Sequence, residues 1–185
     1  MTYYGGKELA ASFRTVRKNT LTIAQEIPEE KYSTRVAPDT RSVAELLTHI
    51  AVAHGFQHQV QAVERRTTLA GMDFMPIMQR MMAEEKAPRT KAQIVELLRT
   101  NGETWAQWLE GLDEAFLAER MEMYPGAEPA SKSRFEMILG VKEHEMHHRG
   151  QLMLIERTLG IVPHLTRQMQ ERFAARATTT SAAND

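Results

Sequence analysis

The chain has no cysteine among its 185 residues. That excludes structural disulfides, a protein thiolate nucleophile and any metal site built on cysteine sulfur, so histidine and carboxylates must carry whatever chemistry there is. Neither sign of charge is in excess, with 23 Lys and Arg against 24 Asp and Glu. The two signs are interspersed, no basic run is long enough to track a phosphate backbone, and nucleic acid is not an expected partner. Long apolar runs are also missing. The longest spans only a few residues, against the roughly 18 needed to cross a bilayer. The N-terminal MTYYGGKELAAS lacks a signal-peptide core, so no membrane association is expected and a cytoplasmic location is. No stretch alternates convincingly as a strand would.

Hydrophobic residues make up 42% and charged residues 25%, the profile of a folded globular chain. The length suits one domain, placed at residues 1–176, and the small polar composition of TTTSAAND predicts a flexible tail at 177–185. Four long helical segments are punctuated by Pro and Gly. The first runs from about Lys7 to Glu26, with Leu9, Phe13, Val16, Thr20, Ile23 and Ile27 on one stripe. S-V-A-E, Ser42 to Glu45, is a capping box opening the second, carried to about Glu64. T-K-A-Q, Thr90 to Gln93, opens the third, and both tryptophans, Trp105 and Trp108, lie on its inner stripe. The fourth starts near Ser133 and stops before Gly160 and Pro163. A short fifth helix is predicted from about Thr166 to Ala175. The fold class is therefore all-α, a bundle of four amphipathic helices with a short extra C-terminal helix.

The connection from about Arg65 to Arg89 is long for a bundle and holds five of twelve methionines in GMDFMPIMQRMM, Gly71 to Met82. Such a connection tends to carry a helix of its own, whose inner face Met75, Met78 and Met82 would form. A second apolar stripe on the fourth helix, Phe135, Leu139, Met146 and Met153, needs a cover. A partner protomer, the connection and the fifth helix are the alternatives.

Three of the seven histidines fall within five positions, in K-E-H-E-M-H-H. At about 100° per residue, His144 and His148 share the inner stripe of the fourth helix with Met137, Val141, Leu152, Ile155 and Leu159. His147 lies to one side. Two imidazoles one turn apart can aim at a common point, as in helix-borne metal sites, and a tight site needs a third ligand. The second helix offers His49 on one stripe and the pair His54 and His58 on another; periodicity leaves both open. The plain alternative is neutral histidines hydrogen-bonded within a core. Yet desolvating two imidazoles one turn apart without a partner is costly, and a metal would satisfy both. Gln151 and Glu45 are candidates to accept the outer ring N–H of such ligands, with His147 a weaker one. Glu45 has the competing role of capping-box partner.

H-E-M-H-H-R-G-Q-L, His144 to Leu152, with S-V-A-E-L-L-T-H-I-A, Ser42 to Ala51, and R-T-L-G-I-V-P, Arg157 to Pro163, resembles the DinB-like (DinB/YfiT) metalloenzyme superfamily. The likeness runs from the first helix to about Pro163. It implies an up-down-down-up four-helix bundle, a homodimer, and a divalent metal, zinc, nickel or iron, held by His49, His144 and His148. Members of known activity act on small-molecule substrates as S-transferases or isomerases that use a low-molecular-weight thiol. A non-catalytic metal- or ligand-binding, stress-related bundle is the competing class. A plain helical interaction module, which would hold no metal, is the third.

Overall fold

The capping boxes start helices where the sequence places them. In this computed structural model, which describes residues 4–182, Ser42 and Glu45 cap α2 (Val43–Val52) reciprocally. Thr90 and Gln93 do the same for α5 (Lys91–Glu110) and Ser133 with Glu136 for α7 (Arg134–Thr158), each pair satisfying amide groups that a helix start leaves bare. Helix α1 (Gly6–Glu26) buries the predicted stripe of Leu9, Phe13, Val16, Thr20 and Ile23. Helices α1 and α2 each pack against both α5 and α7, enclosing one apolar cluster around Ile23, Leu47, Ile50, Leu98 and Leu152 and a second around Phe13, Trp105, Leu109 and Ile138. Gly160, at φ +78°, ends α7. The Ile161 amide bonds the Glu156 carbonyl at 2.8 Å and the Gly160 amide bonds that of Arg157 at 3.1 Å, a Schellman stop that needs a residue free to enter the left-handed region.

One feature of the interior is polar. Arg17 is 4% exposed and Glu145 2%, and they form a fork-to-fork pair with Nη2 to Oε2 at 2.9 Å and Nε to Oε1 at 3.0 Å. The Thr20 hydroxyl donates to the same carboxylate at 2.7 Å. The guanidinium's remaining donors reach the carbonyls of Leu98 on α5 and Ile50 on α2, so one arginine on α1 ties all four helices together. Gly102 makes room for it, because a Cβ there would stand 2.8 Å from Nη1.

The second helix is not continuous. It breaks at Ala53, resumes as α3 (His54–His58) and ends in a π turn at Gln59–Val63. The widened turn seats Gln61, fully buried, where its side-chain oxygen accepts from Arg134 at 2.6 Å. It also leaves Val63 exposed. The connection does carry a helix, α4 (Met75–Lys86), but with a different face inward, about a quarter-turn round from the expected one. Ile77 is its buried residue, while Met75, Met78 and Met82 are exposed. The loop after α5 contains a short helix, α6 (Glu114–Ala118), and a hairpin of β1 (Arg120–Glu122) with β2 (Ser131–Ser133), in which Arg120 stands opposite Ser133. These three-residue strands are too short to show alternation.

The C-terminal helix, α8 (His164–Ala182), is longer than expected; it overlaps the predicted tail of 177–185, and 183–185 lie outside the described residues. Phe135, on the second stripe of α7, meets Tyr4 edge-on at 5.9 Å, and Met146 is exposed.

Two stability predictions follow from buried carboxylates. Glu145→Ala leaves the Arg17 guanidinium buried and unpaired, and denaturant unfolding should show a loss of about 3–5 kcal/mol. The Arg17→Met, Glu145→Leu double variant should recover most of it. Glu156 is fully buried with neither oxygen bonded among the described residues. Burial first, and then Glu26, pushes its pKa from 4.5 up to about 7. A carboxyl that binds its proton more tightly when folded contributes stability that is complete below pH 4.5 and lost as pH rises through about 7. Glu156→Gln should therefore gain in Tm over the wild type on going from pH 5 to pH 8.

Candidate metal centre

His49 sits in the last turn of α2, facing α7, where His144 and His148 stand one turn apart. The Nε2 of His144 lies 3.2 Å from that of His49 and 3.1 Å from that of His148. Each residue offers one ring nitrogen to a group lying within 4.8 Å, and among the described residues it is the one cluster of three or more His, Asp or Glu so placed. Zinc–imidazole bonds of about 2.0–2.1 Å put neighbouring donors about 2.9–3.4 Å apart, so the two separations from His144 match those around a shared cation.

The outer nitrogens explain why the inner ones face each other. His49 Nδ1 lies 3.0 Å from Glu85 Oε2 on α4, and Arg41 Nε donates to the other carboxylate oxygen at 2.6 Å. His148 Nδ1 lies 2.8 Å from Gln151 Oε1, while the Gln151 amide is 3.3 Å from His147 Nε2. A carboxylate and a carbonyl oxygen can only accept, so His49 and His148 carry their protons on Nδ1 and present bare Nε2 lone pairs to His144. A single Nε2–H on His144 points along one direction and serves one of them. A cation serves all three.

Each ring is held neutral, as ligation requires. Burial, followed by the neighbouring imidazoles, pushes His144 down to about 4. Burial also lowers His49 and His148, with Arg41 adding to it at His49. His148 and Gln151 line a cavity of about 530 Å³ whose other walls include Arg35, Arg41, Glu85 and Lys86.

Of the bracing candidates, Gln151 touches His148 directly and His147 stands behind it. Glu45 does not reach the cluster; it is bonded to the Ser42 amide and to Arg35 at 2.7 Å. His54 and His58 lie on the other side of the second helix from His49, toward α5. Their rings lie 5.6 Å from Trp105 and 6.2 Å from Trp108. Glu85 and Arg41 were not legible in the sequence. Glu85 is 36 residues from His49, and no local pattern pairs the two. Gln151→Leu removes the acceptor for His148 while keeping the helix. A chelator-competition titration should show divalent-metal affinity about 10–100-fold weaker.

The fold has solved relatives. A crystal structure of a protein assigned to the DinB family, from Exiguobacterium sibiricum 255-15, superposes with a TM-score of 0.58 at 20% identity, covering 86% of this chain and 94% of that one. At that identity the likeness concerns the fold. No curated protein matches the sequence. The DinB superfamily profile matches residues 12–152, a span that holds all three clustered histidines, and the chain belongs to the DinB superfamily.

Proposed function

We propose that this protein is a divalent-metal-dependent enzyme whose ion is held by His49, His144 and His148, and that its reaction is S-transfer with a low-molecular-weight thiol. The observation that carries the reading is the convergence of three Nε2 atoms, two with their protons committed to outer acceptors, beside a cavity. Zinc, nickel and iron all accept an all-imidazole set. Bound there, a dication keeps its full charge against neutral ligands and makes a water or thiol at an open position acidic.

The chain's own residues do the rest. Glu85 and Gln151 hold the imidazole planes and tautomers. No fourth His, Asp or Glu joins the group among the described residues, which supports open coordination positions. The cavity of about 530 Å³ is of the size that takes a small molecule, with apolar Leu46, Leu154 and Ile155 beside the charged walls. With no cysteine in the chain, the thiol comes from a soluble cofactor. The proposal includes an up-down-down-up bundle, cytoplasmic residence and a homodimer. In support of the last, Met146 and Leu154 on α7 and Met169 and Phe173 on α8 are exposed apolar side chains.

The competing reading, a non-catalytic metal- or ligand-binding bundle, draws on the charged cavity groups being paired with one another, Arg35 with Glu45 and Arg41 with Glu85.

Elemental analysis of untagged protein after metal-replete expression should find about one divalent ion per chain, lost in His148→Ala. Wild type with no ion removes both metal readings. A panel of low-molecular-weight thiols with an electrophilic chromogenic acceptor should then show metal-dependent turnover. Stoichiometric metal with no turnover decides for the binding protein.

A further inference from the structure

Helix α4 is thinly attached. Its inner stripe is Ile77, Met81 and Glu85 at four-residue spacing; Ile77 is buried, and the other two are partly so. Beneath it lies a cavity of about 330 Å³ between Ile77, Arg80 and Met81 and the opposing His54, Leu97 and Asn101. Beside it opens the cavity of about 530 Å³ next to His148, of which Glu85 and Lys86 form one wall. One buried isoleucine contributes about 1.5–3 kcal/mol, little against the ordering of twelve residues, so the segment belongs to the low-stability end of the structure.

Glu85 is also in an unfavourable place for a carboxylate, the last turn of a helix, where the backbone carbonyls present negative charge. What offsets this is its pair of partners, Arg41 at 2.6 Å and the Nδ1–H of His49 at 3.0 Å. A residue that breaks a local rule and is compensated by distant groups is expected where function, not the helix, selects it.

We propose that Glu85 is a positioning residue for the metal and that α4 is a flap whose seating and the binding of the ion reinforce each other through the Arg41–Glu85–His49 chain. This rests on the metal-site reading and adds to it a moving part. An ion on Nε2 of His49 withdraws charge from the ring and makes Nδ1–H a stronger donor to the carboxylate. The seated carboxylate in turn keeps Nε2 turned to its two partners. Linkage requires the coupling to act in both directions. When α4 is seated, it walls the cavity beside His148; when it lifts, that wall goes with it.

The test uses full-length apo protein and Zn²⁺ as the probe, with affinity read by chelator competition and amide hydrogen exchange read over residues 75–86. For the wild type, Zn²⁺ should slow exchange in 75–86 by about 10–100-fold, the size of effect expected when such a bracing group is engaged. Glu85→Ala should bind Zn²⁺ about 10–100-fold more weakly and lose that protection. Glu85→Gln, which keeps an acceptor for Nδ1–H, should restore most of both. The proposal is overturned if wild type binds Zn²⁺ stoichiometrically while exchange in 75–86 does not change, or if Glu85→Ala binds as tightly as wild type. In either case the three-histidine reading stands. Wild type that binds no Zn²⁺ removes that reading, and the coupling falls with it.

Discussion

The ion pair between Arg17 and Glu145 is the constraint on which the site depends. Two charges out of water need every donor and lone pair matched, and the matching is done by groups on α1, α2, α5 and α7 at once. That fixes more than stability. Glu145 follows His144 in the chain and Ile50, whose carbonyl takes the guanidinium, follows His49. The contact that sets the phase of α7 against α2 is thus one residue away from both sides of the histidine cluster. A rotation of α7 that separated His144 from His49 would also strip the buried carboxylate of its partner. An apolar core of the same volume would tolerate such slippage more readily, since hydrophobic contact is not directional.

The three histidines are not held alike. His49 is braced by a carboxylate that is itself held by Arg41, and His148 by an amide with His147 behind it. His144 has no such brace among the described residues. It is placed instead by its helix and by the buried pair next to it. Two imidazoles on outer hydrogen bonds and a third placed by its helix aim their inner nitrogens at one another, the kind of preorganisation that a geometry-selective site needs.

Much of this was legible in the sequence because helical periodicity is a strong signal. Caps placed the starts of α2 and α5 at the observed residues, the start expected near Ser133 matches α7, and the inner stripe of α7 put His144 and His148 inward. The choice between His49 and the pair His54 and His58 was not decidable from the pattern, because both lie on apolar stripes of the second helix and only the packed structure shows which of them faces α7 and which faces the tryptophans. The face of α4 was misread for a related reason. Methionines at three- and four-residue spacing resemble a core stripe, but a helix resting on one side of a bundle needs few anchors, and Ile77 with Glu85 took that role. Arg17 and Glu145 sit at core positions of their stripes, where a charged residue reads as a solvent-facing one. Their meeting spans 128 residues, and no local pattern reports it.

The π turn at Gln59–Val63 has a consequence for comparing this chain with others. Its closing bond runs from the Glu64 amide to the Gln59 carbonyl at 2.9 Å, enclosing one residue more than an α turn does. A homologue whose helix is regular here would be shorter by one position, and any alignment would carry a single gap between the histidine-bearing turn and the hairpin. Misplacing that gap upstream would shift His49 out of correspondence with its counterparts and erase the third imidazole from view.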